Sequence, residues 1–164
     1  MDIRGMLRPG MRAYLIPLAA GLVLAVSTFL PWVVVGGVAS GGVPDVAALW
    51  VLGLGALSVL LSTLSLITRK NSRHPLLVVG LAALGITYLS SRIMPRLAGE
   101  HALTVSQAFA IVENRPVASP PPAVVGAGLY VGLAASAVIV AFGLTIVIRR
   151  ASAPYVVVDP DDDI

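Results

Sequence analysis

Four apolar stretches divide this chain, at 13–35, 46–67, 75–92 and 123–148, free of formal charge except for Arg92 at the edge of the third. At a helical rise of about 1.5 Å per residue, each is near or above the length that crosses a hydrocarbon core of about 30 Å. Buried in lipid, a segment must satisfy its own backbone N–H and C=O groups, so uninterrupted runs of this length predict helices. Strands of a membrane barrel would instead alternate in polarity over short segments. The pattern therefore predicts an all-α membrane protein built as a four-transmembrane-helix bundle over 1–150, followed by an acidic tail at 151–164.

The polar positions between the runs set the expected orientation. With the amino terminus cytoplasmic, the inner segments hold Arg4, Arg8, Arg12, Arg69, Lys70, Arg73, Arg149 and Arg150, against Arg92, Arg96 and Arg115 outside. That bias predicts both termini cytoplasmic. The small residues Val38-Ala39-Ser40 resemble a signal-peptide cleavage site, but the preceding apolar run is long and another follows at once, so an uncleaved first span is expected.

The connections carry their own signals. Residues 36–45, with Gly36-Gly37, Gly41-Gly42 and Pro44, predict a short flexible link between antiparallel helices. The basic turn around Arg69, Lys70 and Arg73, together with Arg149 and Arg150, suits contact with anionic headgroups. In the second outer connection, Thr104-Val105-Ser106-Gln107 reads as a capping box, and Val105, Ala108, Phe109 and Val112 follow at helical spacing. This predicts a short amphipathic helix over 104–113, stopped by Asn114 and Pro116, whose apolar face lies on the membrane or on a partner. Pro116 and Pro120-Pro121-Pro122 then predict a stiff extended spacer. The tail Tyr155 to Ile164 joins a β-branched run to four aspartates and is either a disordered terminus or a docking element for a cytoplasmic partner.

Composition removes several chemistries. Hydrophobic residues are 57% of the 164 and charged residues 12%, with a mean hydropathy of +0.94, which excludes a soluble domain and gives no nucleic-acid signature. With no cysteine, disulfides, thiolate metal sites and iron–sulfur ligation are impossible. An intramembrane charge would mark a proton or ion path, and none lies within a run. His74 and His101 fall on opposite sides of the predicted membrane, without the neighbours that a metal or haem site needs. No nucleophile, phosphate loop or metal spacing accompanies them, so no enzyme activity and no cofactor are expected. Arginine far outnumbers lysine, a coding bias that points to a GC-rich bacterium and its cytoplasmic (inner) membrane.

Small residues form stripes. Gly55, Ser58, Ser62 and Ser65 recur in the second run, Gly128, Gly132 and Ser136 in the fourth, Gly80, Ala83, Thr87 and Ser90 in the third, and Gly21, Ala25 and Thr28 in the first. Such faces let helix backbones approach closely in lipid, either within the bundle or against another subunit. Phe29, Trp32, Trp50, Tyr88 and Tyr130 gather toward the outer side. They suit interfacial anchoring or a pocket for a lipid or other hydrophobic ligand.

The stretch Phe29-Leu30-Pro31-Trp32-Val33, followed by a Gly-rich turn, resembles the end of the first span in small uncharacterised four-span bacterial membrane proteins. That resemblance covers mainly the first hairpin and carries no activity, cofactor or catalytic residue to these positions. The expected role is a non-catalytic accessory or scaffolding subunit, with membrane lipids and other integral subunits as partners. The alternative is a carrier of lipid or another hydrophobic molecule.

Overall fold

In the computed structural model the described residues are 12–68, 72–117 and 119–151, with side chains described as far as Thr145. The tail at Tyr155 to Ile164, together with Arg69 and Lys70, lies outside them. The chain is mostly helical, in the order α1 (Leu15–Ser27), β1 (Pro31–Val35), β2 (Val38–Gly41), α2 (Val46–Thr68), α3 (Arg73–Glu113), β3 (Ala123–Val125) and α4 (Ala127–Ala151). Of the helices, α2, α3 and α4 are long and apolar enough to cross a membrane, whereas α1 is a shorter apolar helix.

The predicted first span is corrected at its outer half, since the helix ends at Ser27 and Pro31–Val35 is a strand. Proline cannot donate to a helical ladder and disfavours helical geometry at the residue before it, and three consecutive valines then favour extended backbone. The hydroxyls of Ser27 and Thr28 donate to the carbonyls of Leu24 and Ala25, helping to close the last turn. What looked like a flexible link is an ordered hairpin. Gly36 and Gly37 have φ of 58° and 82°, so both turn positions take the left-handed conformation that a two-residue hairpin needs. β1 lies between β2 and β3 and pairs antiparallel with both, so the bundle is not all-α but carries a three-stranded sheet.

The predicted short helix at 104–113 is also corrected, being the last three turns of one continuous helix from Arg73 to Glu113. Residues 96–103 are mostly strong helix formers, and Arg96 donates to Glu100 one turn on at 3.0 Å. The Thr104 hydroxyl donates back to the Glu100 carbonyl at 2.9 Å, the mid-helix alternative to capping an N-terminus. The helix does stop at Asn114, whose φ of 51° is left-handed, while the Arg115 N–H reaches the Ala110 carbonyl at 3.0 Å. The fourth helix starts at Ala127, four residues later than expected, because Ala123–Val125 joins the sheet. Asp45 caps α2 by accepting from the Ala47 N–H at 2.8 Å.

Candidate functional site: a capped bundle with an open groove

Small residues bring the four helices together. A Cβ on Gly21 would stand 3.0 Å from the Gly55 carbonyl oxygen and from Ser58 Cβ, and one on Gly55 would stand 2.9 Å from the Ala25 nitrogen. At that crossing the backbones of α1 and α2 are in contact, and the Ser58 hydroxyl donates to the Pro17 carbonyl at 3.3 Å. Ser62 and Ser65 continue the same face along α2, fully buried, with hydroxyls that find no hydrogen-bond partner among the described residues. On α3, Gly80, Ala83, Thr87 and Ser90 are all buried. On α4, Gly132 faces Ser27 and Thr87, Gly128 faces the Ser27 carbonyl and Trp32, and Ser136 is buried with its hydroxyl on the Leu133 carbonyl.

At the sheet end the closing element is Trp32, 1% exposed. Its indole N–H donates to the Ser27 carbonyl at 2.9 Å, and its ring fills the space that a Cβ on Gly42 or Gly128 would enter. The Trp32 carbonyl in turn accepts from the Gly126 N–H at 2.7 Å, so one residue ties the end of α1, the hairpin and the start of α4. At the opposite end, the Tyr14 hydroxyl accepts from the Ser72 N–H at 3.2 Å. The Tyr14 ring meets Phe142 edge-on at 5.2 Å, and the Arg73 guanidinium lies 5.4 Å from the Phe142 centroid. Of the basic residues assigned to headgroups, Arg73 thus also packs on an aromatic ring, while Arg149 and Arg150 lie in the last turn of α4.

The five outer aromatic residues do not share one environment. Trp32 is interior, whereas Phe29, Trp50, Tyr88 and Tyr130 are exposed, each by more than half. Concave space lies elsewhere. An open groove of about 630 Å³ runs between α1 and α4, lined entirely by aliphatic side chains from Leu15 to Val23 and from Val131 to Val138. Sequence reasoning missed it because it depends on how two helices splay. A second cavity of about 310 Å³ lies between Asp45, Ala47 and the Ile86–Leu97 part of α3. His74 and His101 sit on one helix, roughly 40 Å apart by helical rise, and no cluster of three metal-ligating side chains occurs among the described residues.

The part of α3 beyond Pro95 is the other distinctive surface. Phe109, Ile111 and Val112 are 62%, 80% and 83% exposed there. The ion pairs Arg96–Glu100 and Glu113–Arg115 on this stretch are exposed as well and contribute at most about 1 kcal/mol each.

The class that this architecture defines is a compact helical bundle with three helices able to cross a membrane and a small sheet over one end. Comparison with protein-family models, with curated proteins and with solved structures gives no match, so the functional reading rests on these residues.

Proposed function

We propose that this chain is a four-span protein of the bacterial cytoplasmic membrane, with both termini inside, that serves as a non-catalytic accessory or scaffolding subunit of a larger complex. The observation that carries this reading is α3, whose 41 residues extend about 61 Å. Crossing the membrane takes about 20 residues, so roughly half of the helix stands outside it. That half is braced by the sheet, where a Cβ on Gly99 would meet Ala123 at 3.8 Å. It presents Val105, Phe109 and Val112 on one face at four- and three-residue spacing. A helix continuous with a span points away from the bilayer, so this face suits a partner rather than the membrane surface.

The place of α1 as a fourth span is supported by its contacts with α2 at Gly21, Gly55 and Ser58, which hold the two helices side by side. A short span is tolerated by local thinning of the bilayer at modest cost. Orientation is open to a direct test. A cysteine at Ser40 or Ser119 should react with a membrane-impermeant thiol reagent added outside, and one at Ser72 should not. Labelling at Ser72 would reverse every assignment of inside and outside.

Recovery of the partner tests the role. Phe109→Asp combined with Val112→Asp should reduce co-purification of the partner subunit in mild detergent by at least about tenfold, because two desolvated contacts of about 1 kcal/mol or more are lost. Both side chains are exposed, so the isolated protein should keep its stability to within about 0.5 kcal/mol. Unchanged recovery, or an intact protein that purifies alone, would remove the subunit reading.

A second reading, binding of lipid or another hydrophobic molecule, is favoured by the aliphatic groove between α1 and α4 rather than by the outer aromatic residues.

A further inference from the structure

The cavity of about 310 Å³ between the start of α2 and α3 adjoins a second, of about 450 Å³, along α3, and the two share Ile93 and Leu97. Together they form one cleft with opposite charges at its two sides. Asp45 lines the first cavity from α2, and Arg92 and Arg96 line the second, one helical turn apart on α3. Oδ1 of Asp45 accepts from the Ala47 N–H at 2.8 Å, which leaves Oδ2 for another donor. Arg96 is paired with Glu100, whereas Arg92 has no ion-pair partner among the described residues. Both Asp45 and Arg92 are exposed.

Their depth says what kind of ligand reaches them. Arg92 stands nineteen residues beyond Arg73, about 28 Å along α3, and Asp45 precedes the 23 residues of α2, about 35 Å. Across a hydrocarbon core of about 30 Å, both charges fall at headgroup level on the side where the sheet stands. Below them Ile86 and Leu89 carry the cleft on for about 9 Å toward the membrane centre. A phospholipid brings a charged group and hydrocarbon to those two depths at once.

We infer that this cleft binds a phospholipid whose headgroup carries a primary ammonium, with the ammonium at Asp45, the phosphate at Arg92 and the first part of an acyl chain between α2 and α3. The inference rests on the membrane-spanning reading and concerns a different site from the groove between α1 and α4. Guanidinium groups bind phosphate oxygens in charge-assisted pairs, which holds any phospholipid. The carboxylate then selects among headgroups. A primary ammonium donates charge-assisted hydrogen bonds to Asp45, while a quaternary ammonium has no hydrogen to donate. An anionic headgroup without a cation sets a second negative charge beside it.

The test reconstitutes the full chain in bilayers of equal phosphatidylethanolamine, phosphatidylcholine and phosphatidylglycerol with matched acyl chains. Lipid retained in mild detergent is then counted by native mass spectrometry. The wild type should retain phosphatidylethanolamine in clear excess over the other two. Asp45→Asn should lower that excess about fivefold, the weight of one exposed ion pair. Asparagine accepts from the Ala47 N–H as aspartate does, so the cap on α2 survives the change. Arg92→Gln should instead lower retention of phosphatidylethanolamine and phosphatidylcholine alike, because both carry the phosphate. Arg115→Gln removes the same charge beyond the cleft and should change nothing. No headgroup preference in the wild type, a preference that survives Asp45→Asn, or retention unaffected by Arg92→Gln would overturn the inference. Loss of all lipid from the wild type would overturn it as well, while thiol labelling at Ser40 and Ser72 decides the membrane-spanning reading separately.

Discussion

Trp32→Ala should lower stability by about 3–5 kcal/mol, the cost of truncating a large buried aromatic side chain. The indole is enclosed between the end of α1, the hairpin at Gly42 and the start of α4 at Gly128, and its N–H donates to the Ser27 carbonyl at 2.9 Å. Removing it leaves a cavity where three elements meet, and the sheet loses the anchor that holds it to the bundle. Trp50→Ala is the matched comparison, since Trp50 is exposed on α2 and its loss should cost under about 0.5 kcal/mol. These are the only two tryptophans, so each variant leaves a single reporter. Trp50, alone in Trp32→Ala, should be quenched by brominated lipid, and Trp32, alone in Trp50→Ala, should be shielded. Thermal unfolding in mild detergent reads the stability difference. Equal shifts for the two substitutions would refute the anchoring role of Trp32.

The next largest effect is expected at Gly126, between β3 and α4. A Cβ there would overlap the Pro31 carbonyl group and come within 2.9 Å of the Trp32 carbonyl carbon, all backbone atoms that cannot turn aside. The Gly126 N–H also donates to the Trp32 carbonyl at 2.7 Å, so displacing the chain breaks that bond. Gly126→Ala should therefore cost about 1–3 kcal/mol, the range of overpacked sites. Its contrast is Gly85→Ala in α3, where an added Cβ meets nothing within 4 Å. In a helix that change should be neutral or stabilising by up to about 1 kcal/mol. A Gly126→Ala protein as stable as the wild type would mean that the sheet is not docked on α4 through this contact.

These two sites show where reading along the chain stops. The lengths of the apolar runs are enough to predict helices at α2, α3 and α4, because a backbone in lipid has no other way to satisfy its polar groups. The spacing of Gly80, Ala83, Thr87 and Ser90 marks the face of α3 that is buried, because small residues allow the closest approach. Asn114 and Pro116 mark the end of that helix, since one accepts left-handed geometry and the other cannot continue a helix.

Other features depend on partners distant in sequence. Pro31–Val35 is as apolar as the helix before it, and in so short a run periodicity does not distinguish strand from helix. It becomes a central strand because β2 and β3 supply its hydrogen bonds, the latter from about 90 residues further on. α3 runs unbroken through Pro95, with Ala123 of the sheet beside Gly99, so the predicted separate helix is the end of a longer one. Trp32 and Trp50 are chemically identical, yet one is core and the other surface, because the chain folds back after Ser27 only at the first. Sequence by itself determined which helices are long and apolar enough to cross a membrane and where their small-residue faces lie, both consequences of local chemistry. Tertiary structure decided the sheet, the groove between α1 and α4 and the reach of α3, because each is a relation between segments that no single segment encodes.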